Sequence, residues 1–149
     1  MRRLIPIASL LLLAACQQEA EKEAAAPDMA AAPIAPPSTG LTLFAGSGKD
    51  RLCLHEQNGR AGLVTYGEGN SNCTVSGSAS RSGNSLTIVP DGDETCRMSA
   101  TIAGDSVSFG QVGASCAYYC GPTATITGKS FTRSEQPLPA TDLAGDPLC

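Results

Sequence analysis

Residues 99–108, SATIAGDSVS, contain the pattern that decides the fold. Apolar and small polar residues alternate on both sides of Gly104-Asp105, as they do in a half-buried strand. Glycine followed by aspartate suits a type II′ turn, which joins two antiparallel strands through two residues. We therefore predict a β-hairpin with an apolar inner face and a small-hydroxyl outer face. The inner face would consist of Ala100, Ile102, Val107 and Phe109, and the outer face of Thr101, Ala103, Ser106 and Ser108.

The same pattern occurs in residues 78–87 and 123–132. Each copy begins Ser/Thr, Ala, Ser/Thr, has a glycine five residues after its first position, and continues with any residue, Ser, an apolar residue and Ser/Thr. This internal similarity predicts three hairpins, with Gly83, Gly104 and Gly128 at their turns.

Short apolar or β-branched runs, separated by turn residues, fill the chain from residue 41 to residue 133. This spacing predicts an all-β domain, either a small antiparallel sandwich or a barrel of hairpins. Asn58-Gly59 predicts a two-residue type I′ hairpin turn between the second and third strands. The candidate strands are Leu41–Ala45, Arg51–Glu56, Ala61–Tyr66, Cys73–Ala79, Ser85–Val89, Thr95–Ala103, Ser106–Phe109 and one near Ala124–Thr132.

Six cysteines lie in and after this domain: Cys53, Cys73, Cys96, Cys116, Cys120 and Cys149. An even number in an exported small domain predicts three disulfides, although fifteen pairings are possible. Strand alternation places Cys73 and Cys96 on apolar faces, so both should point into the core. We expect the Pro-containing tail, residues 134–149, to fold back and be attached through Cys149, most simply to Cys116 or Cys120.

The N-terminus has the form of an export signal. Arg2 and Arg3 precede an apolar run, Leu4–Leu13, that is too short to span a bilayer. Leu13-Ala14-Ala15-Cys16 resembles the lipobox of bacterial lipoproteins. The resemblance implies removal of residues 1–15, a diacylglycerol thioether on the Cys16 sulfur and a third acyl chain, such as palmitate, on its amino group; multiple chains anchor a protein stably. Gln17 stands where lipoproteins retained at the inner membrane usually have Asp, so the resemblance favours the outer membrane, where we expect the protein at the periplasmic face.

Residues 16–40 predict a disordered tether. Eight alanines, four prolines and no aromatic residue lie between Gln17 and Gly40. Such a segment buries too little apolar surface to offset its ordering entropy. The domain after it is electrically neutral, because Leu41 to Arg133 contains seven basic and seven acidic residues. A neutral domain without a basic stripe argues against a nucleic-acid partner.

Candidate catalytic and metal-binding residues are few. His55 is the only histidine, so any Ser-His-acid or Cys-His arrangement requires it; its strand parity predicts an exposed or rim position. Cys116-x3-Cys120 lacks the usual spacing of a zinc site and fits a disulfide in an oxidising compartment better. Asp91-Gly92-Asp93-Glu94 lacks the other ligands of a calcium loop and predicts a solvated turn. We expect no metal and no cofactor.

Tyr118 and Tyr119, between Cys116 and Cys120, are the candidate binding residues, since tyrosines held rigidly are common at interfaces. The alternative is that one ring packs over a disulfide and the other lies on the surface. This stretch and the tail Asp142–Cys149 are similar to uncharacterised small lipoproteins of Gram-negative bacteria. That resemblance does not indicate any particular activity.

The sequence thus predicts a lipid-anchored envelope protein that binds an envelope protein or cell-wall component, or serves structurally, without being an enzyme. One alternative is an inhibitor of a cell-wall hydrolase, by analogy of fold alone. Another is a small envelope enzyme, which a deep pocket containing His55 and an acid would favour. A flat surface centred on the two tyrosines would favour binding.

Overall fold

A computed structural model describes residues 40–136 and 138–149. The signal peptide, Cys16 and residues 16–39 of the predicted tether lie outside the described residues. Eight antiparallel strands form a closed barrel in which each strand pairs with the next and β8 pairs with β1. The strands are β1 (Leu41–Ala45), β2 (Arg51–His55), β3 (Arg60–Tyr66), β4 (Asn72–Ser82), β5 (Ser85–Pro90), β6 (Met98–Ala103), β7 (Ser106–Phe109) and β8 (Ser130–Arg133). The predicted all-β class is confirmed, and of its two architectures the barrel is the observed one.

The first two copies of the repeat form the predicted hairpins. Ala103 pairs with Ser106, and Ser82 pairs with Ser85, so each loop has two residues. Gly83 and Gly104 both have φ of 58°, the positive value that a turn of this kind requires. In the second copy Ala100 pairs with Phe109 and Ile102 with Val107, and all four are buried as predicted.

The third copy does not form a hairpin, and that prediction is wrong. Only its second half becomes a strand, β8, which pairs with β7 on one side and β1 on the other. Closure of the barrel therefore leaves no free edge on β8 for residues 123–127. These residues bend across the end of the barrel instead, where Ile126 is buried and the Thr125 carbonyl accepts a hydrogen bond from Thr65 Oγ1 at 2.9 Å.

Two further local predictions need correction. The loop between β2 and β3 has four residues rather than two, because His55 is the residue that pairs with Arg60. Strand β6 begins at Met98 rather than Thr95, since Asp93 Oδ1 accepts hydrogen bonds from the backbone N–H groups of Thr95 and Cys96. That turn holds the residues before Met98 out of the ladder.

The barrel interior is a packed apolar core built from alternate residues of the strands. Strand β6 shows the alternation over its whole length, with Met98, Ala100 and Ile102 buried and the residues between them exposed. Phe109 and Phe131 meet edge to face with ring centroids 5.9 Å apart, an arrangement that favours aromatic pairs. Burial of these side chains supplies the main driving force for closing the barrel.

All six cysteines of residues 40–149 form disulfides, and the three bonds are nested along the chain. Cys53 bonds to Cys149, Cys73 to Cys120 and Cys96 to Cys116. Cys73 and Cys96 are fully buried, as their strand parity predicts. The predicted partner of Cys149 is wrong, because Cys116 and Cys120 are already bonded.

The tail packs on the outside of the barrel and explains the partner of Cys149. Cys53 lies on the outer face of β2, and the outward-facing Val64 packs with it against Ala140 and Leu148 of the tail. A side chain at Gly62 would collide with Leu148, so this glycine allows the close approach. Ser76 Oγ donates a hydrogen bond to the Leu148 carbonyl at 2.8 Å.

Candidate functional site

The two ends of the barrel are built differently. At one end, here called the closed end, lie the turns after β1, β3 and β5 and the long connection 110–129 between β7 and β8. At the other, the open end, lie the short loops 56–59, 83–84 and 104–105. Gly40 also lies at the open end, where its carbonyl accepts a hydrogen bond from the Glu56 N–H at 3.2 Å. The predicted tether therefore joins the barrel at the open end.

The long connection covers the closed end as a cap. Its 3-10 helix, Ala114–Tyr119, places Cys116 in the barrel core, where it is bonded to Cys96. Cys120 follows the helix and is bonded to Cys73. Two covalent bonds within five residues fix the cap on strand β4 and on the turn before β6.

A buried ion pair joins the cap to the barrel. Lys129 Nζ lies 2.8 Å from Asp50 Oδ2, and the Asp50 side chain is only 2% exposed. The other oxygen of Asp50 accepts a hydrogen bond from the Tyr66 N–H at 2.8 Å. Asp50 thus connects the turn after β1, strand β3 and the end of the cap.

The cap holds the tyrosine pair in two different environments. Tyr119 packs against the barrel core, and its hydroxyl donates to Asp93 Oδ2 at 3.3 Å. Tyr118 is 91% exposed, and its ring stands at 88° to that of Tyr119 with centroids 5.6 Å apart. The two rings are therefore not presented as an equal pair: Tyr119 supports Tyr118.

Hydrogen bonding and burial shift the pKa values of three groups at the closed end. Hydrogen bonds from Thr95 above all, with those of the Cys96 N–H and Tyr119, hold the pKa of the Asp93 carboxyl below its usual range. Partial burial raises the pKa of the Tyr119 hydroxyl, and the negative charge of Asp93 raises it further. Asp91 is held by Arg60, whose hydrogen bonds lower the pKa of the Asp91 carboxyl. The acidic stretch 91–94 is therefore a hydrogen-bonded turn.

A groove of about 600 Å³ runs beside Tyr118. Asn70, Ser71 and Asn72 contribute amide and hydroxyl groups to its lining, and Gly121-Pro122 contributes a part without polar side chains. A fixed, exposed aromatic ring next to hydrogen-bonding side chains is the composition of a protein-binding surface.

The open end contains a smaller cavity of about 230 Å³. Strand β4 shapes one wall of it, because its last residues, Ala79–Ser82, pair in the sheet with β5 alone and project beyond β3. The apolar lining consists of Leu54, Ala79, Leu86 and Ile102; the polar rim consists of His55, Glu56, Arg60, Ser80 and Arg81.

An exposed ion pair spans this rim. Arg81 Nη1 lies 3.3 Å from Glu56 Oε1, with side chains 49% and 62% exposed. Exposed pairs of this kind contribute about 0–1 kcal/mol. Arg60, by contrast, makes two hydrogen bonds of 2.7 Å to Asp91 and a third to Ser76, so its charge is already well satisfied.

His55 lies at the rim, half-buried, where its parity predicts it. Among the described residues no hydrogen-bond partner reaches its Nδ1, although that atom is buried. The cavity therefore does bring His55 together with an acid, Glu56, the combination that would favour an enzyme. In this structure, however, the Glu56 carboxylate is paired with Arg81.

Sequence reasoning identified Tyr118, Tyr119, His55 and the cysteines but missed the cavity. The residues that line it come from five strands, β2 to β6, and are far apart in sequence. The signal that could have found them is the order of the hairpins, since alternate turns of an antiparallel barrel meet at one end.

In the part of the chain that the structure describes, no group of three or more His, Cys, Asp and Glu side chains could hold a metal ion. Nor is any helix there long and apolar enough to cross a membrane. No protein-family model, curated protein or solved structure matches this chain.

Proposed function

We propose that this protein is a lipid-anchored protein of the cell envelope that acts by binding rather than by catalysis, and that its partner is another envelope protein docked on the closed end around Tyr118. The anchor is the acylated Cys16, at the periplasmic face of the outer membrane.

The observation behind this proposal is an aromatic ring that is almost fully exposed on a covalently braced cap. Exposing a tyrosine ring to water has no benefit for folding, whereas a fixed ring loses little conformational entropy when a partner covers it. Tyr119, Asp93 and the two cap disulfides hold Tyr118 in place. The neighbouring groove adds the polar groups that surround the centre of a typical interface.

The position at which the tether joins the barrel also supports a partner site at the closed end. Gly40 lies at the open end and Tyr118 at the closed end, so the partner site is at the far end of the barrel from the tether. The 24 residues Gln17–Gly40 span up to about 80 Å when fully extended. This length would let the cap meet partners well away from the membrane surface.

A matched pair of variants tests the proposal. A photo-crosslinking residue at position 118 in the intact lipoprotein should capture one envelope protein, identified by mass spectrometry, and the same residue at position 143 should not. Leu143 is a suitable control because it is also an exposed apolar residue, 71% accessible, but lies on the tail. With the captured protein purified, Tyr118→Ala should weaken binding about thirtyfold, a typical loss of about 2 kcal/mol for an aromatic hot spot, and Leu143→Ala should leave it unchanged.

Equal binding by wild type and Tyr118→Ala would reject the closed end as the interface. The anchor is checked in the same preparation, because the Cys16→Ser form should leave the detergent phase. If the captured protein is a cell-wall hydrolase, its activity in the presence of wild type and Tyr118→Ala distinguishes an inhibitor from a passive partner.

An enzyme is the second candidate, because His55 and Glu56 share the open-end cavity. Its test is His55→Ala. If the protein is an enzyme, this substitution should abolish any envelope phenotype that depends on the protein. If it acts by binding at the closed end, partner binding should be unchanged.

A further inference from the structure

We propose that the open-end cavity is a second binding site, independent of the closed end, for a small molecule that has a carboxylate on a compact apolar group. The apolar group would fill the cavity, and the carboxylate would replace Glu56 as the partner of Arg81.

The size and lining of the cavity define the apolar part of the ligand. An eight-stranded barrel is just wide enough to hold side chains or one small ligand. A dry apolar cavity of about 150 Å³ accepts benzene, so about 230 Å³ accommodates a single ring or a short acyl chain. Leu54, Leu86 and Ile102 are almost fully buried and give the cavity an apolar floor.

The rim defines the charge of the ligand. Two guanidinium groups, those of Arg60 and Arg81, and the Glu56 carboxylate line the cavity. Arg60 is held by Asp91 and Ser76 from outside the cavity, with contacts of 2.7 to 3.1 Å. Within the described residues, Arg81 has two weaker contacts: the 3.3 Å contact to Glu56 and a hydrogen bond of 3.0 Å from its Nε to the Gly83 carbonyl. Arg81 is therefore the cation that a ligand can engage.

Replacing the Glu56 carboxylate by a ligand carboxylate at Arg81 requires little free energy. Glu56 is 62% exposed and becomes fully hydrated when it swings away. A ligand carboxylate above the apolar floor can form two parallel hydrogen bonds to the guanidinium, which is stronger than the single contact it replaces.

The test uses the mature chain with Cys16→Ser, which lacks acyl chains that could compete for the cavity. Benzoate and hexanoate are titrated and followed by NMR shifts of the backbone amides of β4 and β5, with benzyl alcohol and benzylamine as neutral and cationic counterparts. Benzoate or hexanoate should saturate the site with a Kd on the order of 1 mM or tighter, an affinity that ligands with so few non-hydrogen atoms can reach. Benzyl alcohol should bind at least tenfold more weakly.

Three substitutions separate this site from a general charge effect. Arg81→Gln should weaken carboxylate binding at least tenfold. Glu56→Gln should tighten it severalfold, because the competing carboxylate is gone. Arg97→Gln should have no effect, since Arg97 is exposed and lies outside the cavity.

Three results would overturn the proposal. The first is no saturable binding of benzoate or hexanoate up to about 10 mM, a concentration range that covers weak ligands of this size. The others are equal affinity for benzyl alcohol and benzoate, and preferential binding of benzylamine that is lost in Glu56→Gln. None of these results depends on Tyr118, so failure here leaves the closed-end interface untouched.

Discussion

The closed end and the open end of this barrel both border its apolar interior, but they are built from different kinds of contact. A cap with two disulfides and the buried Asp50–Lys129 pair covers the closed end. Short hairpin loops and the exposed Arg81–Glu56 pair border the open end. Covalent and buried contacts fix a surface in one shape, whereas exposed ion pairs rearrange at little cost. The barrel therefore has a rigid end suited to presenting a fixed surface and an adaptable end suited to admitting a small molecule.

The largest expected difference between the ends comes from removing a cap disulfide. In Cys73→Ala with Cys120→Ala, a link between residues 47 positions apart is lost. The unfolded chain then gains entropy, and the free energy of unfolding should fall by about 4 kcal/mol. Arg81→Gln at the open end should reduce it by no more than about 1 kcal/mol.

Urea denaturation followed by circular dichroism measures both values. Similar losses for the two variants would show that the cap is not the more strongly stabilised end.

The second comparison concerns one ion pair at each end. Asp50→Ala leaves Lys129, which is 23% exposed, and the Tyr66 N–H without their partner. Removing one member of a buried pair typically costs about 3–5 kcal/mol; partial exposure of Lys129 places the expected loss near the lower limit, about 3 kcal/mol. Asp105→Ala breaks the pair with Arg133, whose side chains are 52% and 71% exposed, and should cost at most about 1 kcal/mol.

The same denaturation curves report these two losses, and Asp50→Asn serves as the control that keeps the shape of the side chain. A loss in Asp105→Ala as large as that in Asp50→Ala would contradict the assignment of the buried pair as the stronger one.

The smallest expected effect is on the titration of Tyr119. Its raised pKa means that folding favours the neutral hydroxyl, so this contribution is fully present below pH 10.0, the ordinary pKa, and is lost as the pH rises through the higher folded value. In a chain with Tyr66→Phe and Tyr118→Phe, ultraviolet absorbance of tyrosinate follows Tyr119 alone. Asp93→Asn should lower the Tyr119 pKa without restoring its ordinary value, since burial is the larger cause.

Asp105→Asn, at the open end, should leave that titration curve in place. A Tyr119 pKa unmoved by Asp93→Asn would show that the carboxylate does not act on the ring.

Local features of this fold could be predicted from the sequence, and features that depend on closure could not. Strands β1 and β7 have the predicted bounds, because alternation and a glycine turn are encoded within ten residues. The third repeat has the same local signals, yet it fails because both edges of β8 are taken. The loop at Asn58-Gly59 likewise follows the register of β2 and β3.

The same distinction applies to the sites. Tyr118 and Tyr119 were recognisable as a pair, but their unequal exposure depends on Asp93, which is distant in sequence. The partner of Cys149 depends on which barrel face the tail crosses, and the sequence alone does not contain that information. The open-end cavity requires five strands, β2 to β6, to come together, so it appears only once the barrel has formed.

The nested disulfides have a mechanical consequence. For a load applied between the tether at Gly40 and a partner held at Tyr118, the chain alone offers a contour of 78 residues. The Cys73–Cys120 bond shortens the covalent path to 33 residues from Gly40 to Cys73 and two from Cys120 to Tyr118, or 35 in all. Even with every strand pulled apart, the partner could move no more than about 120 Å from Gly40 instead of about 270 Å. Residues 74–117 lie off this covalent path, so once the strands on the path are extended the tension passes through the disulfide and bypasses them.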